Sequence, residues 1–213
     1  MTAKPKEIWL RTDEIEELVS ALEHCAELAS GLESNLMNWK WLIIALHNAL
    51  QGACVCALRG RDNAGITMLT KKSAKEVWHW LDVESRKSPA PPMPEERLAA
   101  MPELYQRVAD TTHLPDPCRL PTDPSRDDDV KRLNRLRNRF IHFVPQGLSL
   151  EVSGMPRIVD HCCDAIEHLS VKHPTYWYHL NNKLRRRAKT ALANLRGSVS
   201  VWASRRGLKS GSQ

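Results

Sequence analysis

Asp127-Asp128-Asp129-Val130-Lys131-Arg132-Leu133-Asn134-Arg135-Leu136-Arg137-Asn138-Arg139-Phe140-Ile141-His142-Phe143-Val144 repeats its apolar residues at helical spacing. At about 100° per residue, Val130, Leu133, Leu136, Phe140, Phe143 and Val144 fall in one broad arc, with Lys131, Arg132, Arg135, Asn138, Arg139 and His142 opposite. Ser125 or Asp127 is placed to cap the start, the three aspartates suit the positive end of the helix dipole, and Pro145 stops the run. Arg137 breaks this division. It lies inside the apolar arc, beside Leu133, Ile141 and Val144. A guanidinium cannot shed its charge, so it must meet a carboxylate, reach out to water, or line a wet cleft or subunit interface. His142 sits about 140° further round the same helix, so the two side chains do not face each other within one chain. A second copy of the helix, crossing the first, closes that gap.

The same periodicity recurs almost throughout and strand signals are scarce, which gives an all-α architecture. Thr12 can open a helix whose Ile15, Leu18, Val19, Leu22, Ala26, Ala29 and Leu32 form a stripe ending at Gly31. Ser34 then starts a long apolar helix to about Leu58. Lys40, His47, Asn48 and Gln51 interrupt that run, so it reads as a buried central helix and not as a membrane span. A third helix over about 70–85 presents Ala74, Val77, Trp78 and Leu81 to a core. Ser88 to Pro94 is a proline spacer, followed by a short helix near 102–110 and a second irregular stretch over 114–125. Leu148 to Val152 suits a short strand or extended loop. Pro156 suits the first turn of a helix to about Val171, and a last helix from about Pro174 carries Tyr176, Trp177, Leu180 and Leu184.

A length of 213 residues suits one well-cored domain, here 1–182, with an appended basic extension over 183–213. Nine of the 31 Lys and Arg lie from Lys183 onward with no acid among them, leaving 22 bases against 25 acids before that point. Clustered positive charge gains affinity for phosphate chains by counterion release, which makes RNA or DNA the first partner to consider. Alternatively, the segment is a solvated tail. No charged-then-apolar leader opens the chain, and the six cysteines have neither a disulfide scaffold around them nor Cys-x-x-Cys spacing. Reduced thiols in a cytoplasmic protein, with no membrane partner, are the simpler account.

Arg137-Asn138-Arg139-Phe140-Ile141-His142, an arginine, a polar residue and then a histidine after four intervening positions on a long helix, resembles the signature of the HEPN superfamily of helical nucleotide-binding domains. The resemblance covers one helix. It implies a HEPN-like helical bundle, a homodimer, and a metal-independent endoribonuclease of the toxin–antitoxin or antiphage kind, with an antitoxin or sensor protein as a further partner. It also implies catalytic roles for Arg137 and His142 and a supporting one for Asn138, with no cofactor and no metal. The chemistry suits those residue types. Histidine titrates near neutrality and can move protons at the ribose 2′-hydroxyl and the leaving oxygen, while arginine can hold two phosphate oxygens at once. The product is then a 2′,3′-cyclic phosphate. A non-catalytic HEPN-like module for binding RNA, a nucleotide or a partner is the alternative. In the plainest account, Arg137 is a paired structural arginine and His142 a helix cap.

Further candidates for RNA contact are Arg139, the polar stripe His47, Asn48 and Gln51, and the basic cluster Arg185, Arg186, Arg187 and Lys189. The stripe is equally readable as a satisfied core network, and the cluster as a surface for a partner helix. His161, Cys162, Cys163 and His168 share a helix but lack the convergent spacing of a zinc site. Trp78 and Trp80, near Lys71, Lys72 and Lys75, could stack bases, though core packing explains them as well.

Overall fold

The computed structural model describes residues 7–59, 65–142, 147, 149–172 and 182–208. Among them are seven α-helices and no strand: α1 (Glu14–Ser30), α2 (Asn38–Arg59), α3 (Lys71–Asp82), α4 (Met101–Val108), α5 (Pro124–Ile141), α6 (Met155–Ile166) and α7 (Asn182–Arg205). A π-helical turn, Glu167–Lys172, continues α6.

Helix α2 is the hub because it is apolar on nearly every side. Its length and composition would let it cross a membrane, but 67% of that stretch is buried inside the protein. Helix α1 lies along one flank and α7 packs on α1, while α4, α5 and α6 cover the others. At the junction of α2 and α7, Trp39 and Trp202 meet edge to face with ring centroids 5.0 Å apart, both nearly fully buried. Such a pair adds roughly 1 kcal/mol beyond the area it buries.

Within the segment expected to be an extension, helix α7 packs into the core. Ala188, Ala191, Leu192, Leu195, Val199, Trp202 and Ala203 of α7 are all buried. Its charge lies on the outward face of an amphipathic helix, which is why composition suggested a tail. Other departures are local. Asp123, not Ser125 or Asp127, caps α5 by accepting hydrogen bonds from the Ser125 and Arg126 N–H groups, and Pro124 occupies the first turn. Helix α2 begins at Asn38 because residues near Ser34 form turns, in which the Ser34 hydroxyl donates to the Gly31 carbonyl. Residues 149–152 are irregular. Trp78 is 61% exposed, since α3 turns Ser73 and Val77 inward against the proline-rich strap. There Ser73 Oγ donates to the Glu95 carbonyl and accepts from Arg97 N–H, and Trp80 Nε1 donates to the Pro91 carbonyl. Phe143, Val144, Pro145, Leu148, Tyr176, Trp177 and Leu180 lie outside the described residues.

The rotation of α5 about its own axis is pinned from α6. Asp129 is buried and accepts two hydrogen bonds from Arg157, at 2.8 and 2.9 Å, while His161 Nδ1 lies 2.8 Å from its Oδ2. Replacing Asp129 with alanine removes all three charge-assisted bonds. Arg157 is half exposed and can turn to water, so the expected loss is about 2–3 kcal/mol, not the larger cost of a stranded buried charge. Urea unfolding should show this as a lower midpoint at unchanged slope. Asp128→Ala, on the exposed face, should leave the midpoint near that of the wild type.

Candidate functional site

One line of α5 carries Asn134, Arg137, Asn138 and Ile141, spaced i, i+3, i+4, i+7. Asn134 reaches α2: its Oδ1 lies 3.0 Å from His47 Nε2. The amide oxygen can only accept, so Nε2 carries the proton and Nδ1 presents a lone pair. That Nδ1 is buried and has no hydrogen-bond partner among the described residues. Burial pushes the His47 pKa down and the positive charge of Arg137 pushes the same way, while the bond to Asn134 opposes both.

Arg137 is half-buried against this neutral pair. One terminal nitrogen donates to Asn138 Oδ1 at 3.1 Å, and Nε is buried without a hydrogen-bond partner. Among the described residues no carboxylate lies within ion-pairing distance of it, whereas Arg107, Arg157 and Arg196 each have one, and Arg126, buried on the same helix, is held by the Tyr105 hydroxyl and the Pro121 carbonyl. Among the described residues the guanidinium is thus held by packing and one amide, with no counter-charge. Any anion with two oxygens in a plane, such as a phosphodiester, complements it.

His142 is the cap residue at the end of α5, with exposed side chain and backbone φ −84°, ψ 60°. Its N–H donates to the Asn138 carbonyl, and its imidazole has no partner among the described residues. Around it lies exposed apolar surface. Lys40 Nζ stands 4.9 Å from the Trp41 ring and 5.9 Å from the Phe140 ring, which places the start of α2 beside the end of α5. Met37, Trp41 and Ile141 are 59%, 51% and 44% exposed.

The other candidates distribute as follows. His47 is buried, Asn48 is exposed and Gln51 is half-buried, so His47 is the member of the stripe enclosed beside Arg137, with Asn48 at its outer edge. Arg139 is exposed on the outer face of α5. Of the basic cluster on α7, Arg185, Arg186 and Lys189 are exposed, but Arg187 is bound bidentately by Glu23 and also by Glu16, which raises its pKa. Its charge is spent on holding α7 to α1. The histidines and cysteines of α6 diverge: His161 turns to Asp129, Cys162 and Cys163 point into the core, and His168 Nε2 donates to the Arg119 carbonyl. No group of three metal-ligating side chains occurs among the described residues. Sequence reasoning missed Asn134, whose position one turn before Arg137 and Asn138 was the available signal. No family model, curated protein or solved structure matches this chain.

His47 gives the cluster a signature in solution. With its folded pKa below the unfolded value near 6.5, the unfolded chain takes up the proton first as pH falls. Stability from this group is therefore full above about pH 7.5 and declines on acidification through the unfolded pKa, by at most about 1.4 kcal/mol per pH unit. Urea unfolding between pH 7.5 and 5 should show a shallower pH dependence for His47→Gln than for the wild type.

Proposed function

We propose that this chain is a HEPN-type helical ribonuclease that cuts RNA without a metal, acting as a homodimer. The observation that carries the reading is the half-buried guanidinium of Arg137, which among the described residues has no carboxylate to neutralise it. Phosphate is the natural complement, and two phosphate oxygens would accept from its terminal N–H groups together. The sequence pattern at this position supplies His142 five residues on.

Arg137 faces α2 while His142 caps the helix end on another side, so one chain alone aligns the pair poorly. The exposed apolar surface of Met37, Trp41 and Ile141 beside them suits a second copy, which would bring its own arginine and histidine across the cleft. In the reaction, one imidazole takes the proton from the ribose 2′-hydroxyl and the 2′-oxygen attacks phosphorus. The 5′-oxygen leaves with a proton from a second imidazole. Arg137 balances the charge on the phosphorane, and the products are a 2′,3′-cyclic phosphate and a 5′-hydroxyl. Arg139, Asn48, Gln51 and the exposed Arg185, Arg186 and Lys189 are candidates for holding the strand. Such an enzyme is toxic to its own cytoplasm, which is the argument for an antitoxin or sensor partner.

A second reading, a non-catalytic HEPN-like module that binds RNA or a nucleotide, is favoured by one observation: no side chain among the described residues orients the His142 imidazole. Incubating end-labelled RNA with the protein in excess chelator separates the two. The enzyme gives cyclic-phosphate ends and loses at least about a hundredfold in rate in both Arg137→Ala and His142→Ala. Mixing the two inactive variants should leave cleavage low, because a mixed dimer keeps one His142 where the reaction uses two. Binding without cleavage establishes the module, and activity surviving both substitutions sinks the assignment of this site.

A further inference from the structure

A cleft of about 610 Å³ opens between α4 and α5, and Asn134 lines it. Since the same side chain bonds His47, the cleft adjoins the Arg137 cluster. Its size lies within the usual range for small-ligand sites, and its composition is the usual mixture of apolar wall and few polar groups. Met101, Ala109 and Val130 supply the wall.

The polar groups have a definite order along α5. Asp127 comes first: it is half-buried, its Oδ1 accepts the Tyr105 hydroxyl at 2.9 Å, and no cation pairs with it among the described residues. Its second oxygen is uncommitted. Lys131 and Arg135 follow on the same face, about 6 and 12 Å further along by the helical rise. Lys131 is shared with Asp128 on the surface, whereas Arg135 has no ion pair among the described residues. A row that begins with an acceptor and continues with cations matches a nucleotide whose base edge donates hydrogen bonds and whose phosphate lies toward Lys131 and Arg135.

We infer that this cleft binds a guanine nucleotide of the RNA strand, with Asp127 accepting from the base and Arg135 and Lys131 receiving its phosphates. Guanine alone among the four bases offers two adjacent N–H donors, from the ring nitrogen and the exocyclic amine, to one carboxylate. Adenine would set a ring acceptor against Asp127, cytosine would offer one donor beside an acceptor, and uracil a single donor between two carbonyls. The amides of Gln106 and Asn134 stand in the same cleft for the remaining acceptors of the base. The role of this nucleotide as part of a cleaved strand rests on the ribonuclease reading; the binding itself does not.

Isothermal titration of the full chain with GMP, AMP, CMP and UMP tests it. GMP should bind roughly tenfold or more tightly than each of the others, and Asp127→Asn should lose about tenfold in GMP affinity. Ala109→Trp, which fills the cleft, should abolish binding at an unchanged far-ultraviolet circular dichroism spectrum. If that variant does not fold, Gln106→Ala should still weaken GMP binding. No GMP binding at millimolar concentration, preference for another base, or an Asp127→Asn variant equal to the wild type each overturns the inference. Cleavage without GMP binding removes only the cleft, and GMP binding without cleavage removes only the nuclease.

Discussion

Enclosing α2 is the constraint on which the rest depends. Twenty-two residues with apolar groups on nearly every face need neighbours all round, and α1, α4, α5, α6 and the π-helical turn after α6 supply them, with α7 closing over α1. The cover is incomplete along one line, where Met37, Trp41 and Asn48 stay exposed and Ile44 half-buried. It also encloses one polar side chain. His47 can be buried there only if something accepts its proton, since an unmet donor inside a protein costs about 1–3 kcal/mol. Asn134 meets that need, so a residue on α2 dictates a residue on α5.

The electrostatics of the site follow from that arrangement. A neutral imidazole and a neutral amide give Arg137 neighbours that offer dipoles but no negative charge. Several partly buried arginines are neutralised directly: Arg107 with Glu103, Arg196 with three acids of α6 and its continuation, Arg187 with two acids of α1. Arg126, buried on the same helix, has no carboxylate but is held by the Tyr105 hydroxyl and the Pro121 carbonyl. Arg137 differs from both kinds: among the described residues it has a single amide acceptor and an unpartnered Nε.

Much of this was legible in the chain. The 3.6-residue period placed Arg137 on the inner side of α5 and marked α2 as buried, because both inferences depend only on which residues share a face. What failed depended on distant contacts. Trp78 looked like core, but its helix spends its inner face on a polar anchor, Ser73, gripping the proline strap. The basic run from Lys183 read as an extension because charge dominated its composition; its stripe of Leu184, Ala188, Leu192 and Leu195 also read as a surface for a partner helix, and α1 of the same chain is such a partner. The cap at Asp123 was overlooked in favour of residues further in, where Pro124 at the first helical position was the better guide. The link between His47 and Asn134 joins residues 87 apart in sequence, and no local pattern announces such a pairing.

All six cysteines are buried and unpaired by disulfides. Burial drives the thiols of Cys25, Cys54 and Cys162 far above their ordinary pKa and Cys163 up to about 12. Almost none of these sulfurs is thiolate at neutral pH, and the thiolate is the reactive form. The folded protein should accordingly be silent toward maleimides and iodoacetamide. A single cysteine engineered onto its surface would then carry a fluorophore or spin label alone, with the native six left in place.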